Sequence, residues 1–83
     1  QYTKVVVIRM RSVPAIDASA MKNLRELADR AKKKKIQLVF SHVNEQPMHV
    51  MEKDGFVDYI GKDNFCKNIV EALDYAEQLV DLR

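Results

Sequence analysis

Asp17 and Ser19 stand two residues apart in "VPAIDASAMKNL" (residues 13–24), just after a proline and just before a change of hydrophobic period. A carboxylate and a hydroxyl at such a place can do one of two things. They can close the first turn of a helix, where the side-chain oxygen accepts from an unpaired backbone N–H and contributes about 1 kcal/mol. Or they can face a ligand or a partner, because a helix N-terminus presents free N–H groups and the positive end of its dipole to an anion. Asp17 also follows a strand-like run, and open α/β sheets hold ligands at the carboxyl ends of their strands. A phosphate on Ser19 suits the helix electrostatics, and the nearby Asp17 opposes it. The residues alone leave both readings open.

The other reactive side chains are scattered. His42 and His49 are seven apart with Pro47 between them, and Cys66 has no histidine or cysteine at a zinc-like spacing, so no metal site is expected. Nucleophilic catalysis would need Ser19 or Cys66 beside a base and an orienting group, and neither has one nearby in sequence. Cys66 reads instead as a small buried apolar residue. Neither GxxxxGK[ST] nor GxGxxG occurs, so the standard phosphate loops are absent. The expectation is a binding module and not an enzyme, with no cofactor.

These residues must be positioned by the elements around them. Val5, Val6, Val7 and Ile8 are four β-branched residues in a row, a run suited to a central parallel strand covered on both faces. From Ser19 to about Lys34 the period becomes helical: Met21, Leu24, Leu27, Ala28 and Ala31 mark one face. Lys22–Glu26, Arg25–Asp29 and Glu26–Arg30 form i,i+4 pairs on the other. The run Lys32–Lys35 closes the helix as a solvated cationic end that suits the dipole. Ile36 to Ser41 is a second apolar strand, which makes a right-handed βαβ unit. Pro47 as first helical residue and Gly55 as C-terminal cap bracket a two-turn helix. "FVDYIG" reads as a turn and "NFC" as a short third strand. A last helix from Asn68 to Leu82 carries Ile69, Leu73, Ala76 and Val80 on one face, and Asn68 with Glu71 resembles a capping box.

The fold class is therefore α/β, a small and mostly parallel sheet with helices packed against it in one domain over residues 1–83. Two good strands cannot cover their own faces and edges, so one or more N-terminal strands are expected to be missing from this chain. The composition agrees with a single globular unit: 47% hydrophobic and 31% charged residues over 83 positions. A net charge of +2 gives no argument for nucleic acid or for an acidic membrane surface. No apolar run approaches a membrane span, so no direct membrane insertion is expected. A lone cysteine, with no possible internal disulfide, favours a reducing compartment.

The segments "VVVIRMRSVPAIDASAMKNLREL", "KIQLVFSHVNEQPMHVMEKDGFVDYIG" and "NIVEALDYA" together resemble the STAS domain, shared by sulfate permeases and bacterial anti-sigma factor antagonists. The strand–"PAID"–helix opening and "GFVDYIG" place the chain nearer the permease branch. The resemblance implies a regulatory and interaction domain on the cytoplasmic side of a bacterial inner membrane. Its implied partners are the transmembrane domain of the same anion transporter and a cytoplasmic protein. The alternative is a free-standing anti-sigma factor antagonist. In that branch a serine is phosphorylated within an Asp-Ser-Ser-Gly-like motif. Asp17-Ala18-Ser19-Ala20 keeps its aspartate and the phosphorylated position, and replaces the other serine and the glycine by alanines. The resemblance thus makes Ser19 the candidate regulatory position, with Asp17, Ala18, Ala20 and Met21 as candidate partner or nucleotide contacts.

Overall fold

The computed structural model describes residues 4–81. Strand β1 (Lys4–Arg9) runs parallel to β2 (Ile36–Ser41), with Val6 opposite Leu38 and Ile8 opposite Phe40. Helix α1 (Ala18–Lys33) makes the crossover between them. After β2 come α2 (Glu45–Asp54), α3 (Phe56–Ile60) and a 3-10 turn over Lys62–Asn64. A two-residue strand β3 (Phe65–Cys66) then pairs in parallel with β2, and α4 (Ile69–Asp81) follows. The sheet order is β1-β2-β3, so among the described strands β2 is central and β1 lies at an edge. The apolar run of β1 suggests the central place. The structure corrects this: among the described strands β1 pairs on one side only, and Val6 is left 37% exposed.

Strand alternation divides the core in two. Leu38 and Phe40 point toward α1, α2 and α3, where Met21, Ala28, Ala31, Met51, Phe56 and Val57 bury against them. Val39 points the other way, and it and Ala72 of α4 are fully buried. Two expected core leucines lie outside this core. Leu27 is 39% exposed and Leu73 is 55% exposed, because the helices approach the sheet through alanines, Ala28 and Ala31 on α1 and Ala72 on α4. Small residues allow close contact, and a leucine beside them is left at the rim of the buried stripe. Leu27→Ala should therefore cost about 1 kcal/mol or less, below the roughly 2–5 kcal/mol of a buried leucine. Urea denaturation of the purified variant checks it.

Helix boundaries follow local chemistry with small shifts. Gly55 ends α2 in the left-handed conformation, φ 85°, as expected of a C-terminal cap. Pro47 is the third residue of α2 and not its first, since the helix begins two residues earlier at Glu45. Its missing N–H still costs nothing, because the first-turn donors have no partner within the helix. "FVDYI" is a short helix where the sequence reads as a turn, seeded by the burial of Phe56 and Val57. Asn68 caps α4 as expected, accepting from the Glu71 N–H at 2.9 Å.

Two of the expected i,i+4 partners on α1 reach across to other elements instead. Arg25 pairs with the Asp54 carboxylate at 2.5 Å, donates to the Asp54 carbonyl at 3.1 Å and lies over the Tyr59 ring. Asp29 accepts from the Tyr59 hydroxyl at 2.5 Å, and Lys32 sits 3.8 Å from the centre of that ring. The bond to Asp29, followed by desolvation and the charge of Asp29, holds the Tyr59 phenol above its ordinary pKa. These contacts fix α1 against the α2–α3 corner, and thereby fix where the start of α1 lies.

Candidate functional site

The carboxyl ends of β1 and β2 open onto the segment from Met10 to Met21. The Met10 N–H continues the sheet by donating to the Ser41 carbonyl at 3.0 Å, and Val13 then closes a turn on the Met10 carbonyl. Asp17 has extended backbone and is the N-cap of α1: its Oδ1 accepts from Ala20 N–H at 2.8 Å, and its carbonyl accepts from Met21 N–H. Between the two readings of "DAS", Asp17 is the cap and Ser19 is not. Ser19 is the second residue of the helix and is exposed, as are Asp17 and Ala18.

Of the candidate contact residues, Ala20 is half-buried and Met21 is a core residue. Met21 is therefore not a surface contact. Its side chain lies on the inner face of α1, one turn from Leu24 and two from Ala28, and packs into the main apolar cluster. The surface that Asp17 to Met21 presents is Asp17, Ala18 and Ser19, with Ala20 at its margin.

The segment is shaped from behind by two amides that sequence reasoning missed. Asn44, the N-cap residue of α2, makes no cap bond of its own. Its Nδ2 donates to the carbonyls of Arg11 at 3.0 Å and Val13 at 2.9 Å. Gln46, in the first turn of α2, accepts from Ile16 N–H at 2.8 Å and donates to Ile16 carbonyl at 3.1 Å. A single side-chain amide thus pairs with both polar groups of one residue, as a neighbouring strand would. Loop backbone without such partners would be left to water; these bonds satisfy the carbonyls of Arg11 and Val13 and both polar groups of Ile16. A short apolar groove runs alongside, lined by Val13, Ile16, Ala20, Leu24 and Leu27.

The remaining reactive residues do not join this group. His42 ends β2 in the left-handed region at φ 54°, exposed, with its N–H on the Cys66 carbonyl at 2.9 Å. Cys66 is half-buried rather than buried, and burial, then the charge of Glu71, pushes its thiol pKa up. That direction keeps the proton on sulfur and disfavours nucleophilic attack. Among the described residues no three His, Cys, Asp or Glu side chains are grouped to hold a metal. The chemistry of the opening loop is that of a shaped, partly apolar surface carrying two exposed hydroxyls, Ser12 in the turn and Ser19 on the first turn of α1.

Comparison with known proteins agrees with this architecture. The family model described as "STAS domain" matches residues 1–72. The chain is 32% identical over 68 residues to "Probable sulfate transporter 4.2" of Arabidopsis thaliana, covering 82% of this chain and 10% of that protein. It is also 32% identical over 75 residues to "Sulfate transporter 4.1, chloroplastic" of the same plant, covering 90% of this chain and 11% of that protein. The chain thus spans about a tenth of these curated relatives. The crystal structure of a sulfate transporter family protein from Wolinella succinogenes superposes with a TM-score of 0.90 at 35% identity, over 94% of this chain and 64% of that one. Among the described residues no helix is long and apolar enough to cross a membrane.

Proposed function

Because this chain belongs to the STAS domain family, we propose that it is a non-enzymatic regulatory and interaction domain of a sulfate-permease-type anion transporter. In this reading it sits on the cytoplasmic side and is joined to the membrane-spanning part of the same protein. The observation that carries the proposal is the construction of the opening loop. Asn44 and Gln46 hold it in one shape, while the Ser19 side chain is left exposed on the first turn of α1. A shaped surface with an exposed hydroxyl suits recognition by a protein partner, whereas catalysis would need a base on Ser19, and the carboxylate of Asp17 accepts from the Ala20 N–H instead. Neither a cofactor nor nucleic acid enters the reading. The relatives, both called sulfate transporters, favour it over a free-standing antagonist.

The test is charge at Ser19. Ser19→Glu places a carboxylate in the first turn of α1, where the dipole favours it, so stability should shift by about 1 kcal/mol or less. Binding to the purified membrane part, or to a cytoplasmic partner, should change by about tenfold, equivalent to 1.4 kcal/mol. Ser19→Ala serves as the control. Asp17→Ala is the poorer probe, because it removes a helix cap as well as a surface carboxylate. Titration calorimetry that finds one affinity for the unaltered chain and for both the Ser19→Ala and Ser19→Glu variants would remove the loop from the regulatory surface. A parent reading frame without hydrophobic spans would remove the transporter assignment itself.

A further inference from the structure

The end of the domain opposite the Asp17 loop gathers more cations than the run Lys32–Lys35 suggests by itself. Ile36, the first residue of β2, is its centre. Lys4 of β1 is the register partner of Ile36. The groove on one side of Ile36 is lined by Arg30 and Lys34, and the groove on its other side by Lys32 and Lys35. Strand pairing and the crossover thus gather five cations around one half-buried isoleucine, with Lys33 exposed on the same last turn of α1. Lys32 rests on the Tyr59 ring. Among the described residues no carboxylate lies within ion-pair range of Lys4, Arg30, Lys33, Lys34 or Lys35.

Lys35 adds an independent observation. It follows the C-cap of α1 in the left-handed region, φ 58°, a place where glycine is preferred because any side chain there is strained. The local conflict at this position falls on one of the five cations. The sequence by itself reads as a solvated helix end, and a helix end needs no lysine in the left-handed position.

We propose that this end of the domain binds the anionic headgroups of a phospholipid surface. The inference rests on the reading above that the domain is joined to a membrane-spanning part, which holds it beside a bilayer. A cluster confined to one end, on a chain whose net charge is only +2, matches a flat surface met end-on. It does not form the extended basic track that nucleic acid requires. Binding in this way leaves the Asp17 loop, at the other end of α1, pointing away from the lipid and open to a partner.

The experiment is co-sedimentation of the chain with vesicles of phosphatidylcholine alone, or of phosphatidylcholine mixed with phosphatidylglycerol. Only the mixed vesicles should bind, and binding should weaken as salt rises toward physiological strength, where charges are screened beyond about 8 Å. Lys34→Gln and Lys35→Gly should each weaken partitioning by about five-fold. Lys35→Gly also relieves the backbone, so its urea midpoint should hold or rise while lipid binding falls, which separates binding from folding. Lys22→Gln removes the same charge near the other end of α1 and should leave binding unchanged. Equal binding to neutral vesicles would overturn the proposal, and so would an equal loss with Lys22→Gln. Displacement by inorganic phosphate at matched ionic strength would reassign the cluster to small anions. Failure to bind mixed vesicles overturns the lipid proposal and leaves the transporter reading intact, whereas a parent gene without membrane spans overturns the transporter reading and removes the premise of the lipid proposal with it.

Discussion

Phe40→Ala should destabilise the domain by about 3–5 kcal/mol, the largest effect expected of any single truncation in this chain. Phe40 is fully buried at the centre of the sheet. Its ring stacks on Phe65 of β3 with centroids 5.0 Å apart, and meets Phe56 of α3 edge-on at 5.7 Å. Removing it leaves a cavity and separates three elements at once: the central strand, the two-residue strand beside it and the short helix that closes the corner. A chain of this length has a total stability of roughly 4–12 kcal/mol, so a loss of this size removes a large share of it and should lower the unfolding temperature sharply. Thermal unfolding followed by circular dichroism reads this directly. A shift below about 1.5 kcal/mol would mean that Phe56 and Phe65 close the space, a repacking that volume-conserving cores sometimes achieve.

Gly61→Ala should cost about 2–4 kcal/mol, from two sources that add. The backbone at Gly61, φ 104° and ψ 127°, is one that residues with a side chain rarely adopt, and strain of this kind costs about 1–3 kcal/mol. A Cβ there would also stand 2.9 Å from Asn64 Nδ2. That nitrogen cannot simply move aside, because Asn64 is buried and donates to the Ile60 carbonyl at 2.7 Å, a bond worth about 1 kcal/mol. Gly55 provides the internal comparison. It too has positive φ, 85°, but open space surrounds the place of its Cβ, so Gly55→Ala should cost only about 1–2 kcal/mol. Urea midpoints of the two variants, with unchanged slopes, should therefore fall in that order. Equal costs would show that Asn64 yields and only backbone strain matters.

The parts of this protein legible in its sequence are those decided by neighbours in the chain. Four consecutive β-branched residues make β1, the 3.6-residue period makes α1, and Asp17, Gly55 and Asn68 take the capping places their chemistry favours. What escapes is decided by residues about thirty positions apart. Periodicity assigns Leu27 and Leu73 to a buried face, but the sheet meets those helices through Ala28, Ala31 and Ala72, and no pattern within a helix reveals how closely another layer approaches. Arg25 and Asp29 have the spacing of a local ion pair, yet Asp54 and Tyr59 claim them from 29 and 30 residues away. Strand order is likewise a property of the assembled sheet, and β1 carries the same apolar run at an edge as it would in the middle.

The candidate site shows the same division. Asp17 and Ser19 stand out as a strand-to-helix opening, and the cap is local. The amides of Asn44 and Gln46 give no signal, since an asparagine before a helix ordinarily reads as that helix's own cap, and a glutamine in a first turn as solvated. Position in the chain groups Met21 with the loop, although its place in the helical period already puts it on the inner face with Leu24 and Ala28.

The pair of hydrogen bonds between Gln46 and Ile16 has a consequence for the order in which the domain assembles. Parallel pairing of β1 with β2 already requires the whole of α1 to be in place, and loop closure over such separations is slow compared with helix growth. The partners of the loop lie further along the chain still, at the start of α2 and beyond β2. A nascent chain that has emerged only as far as α1 therefore contains "VPAIDAS" without its final shape, and an isolated peptide of those residues lacks it for the same reason. Under the proposed function, a partner that reads the shape of this loop would therefore bind only a domain whose second strand and second helix have docked.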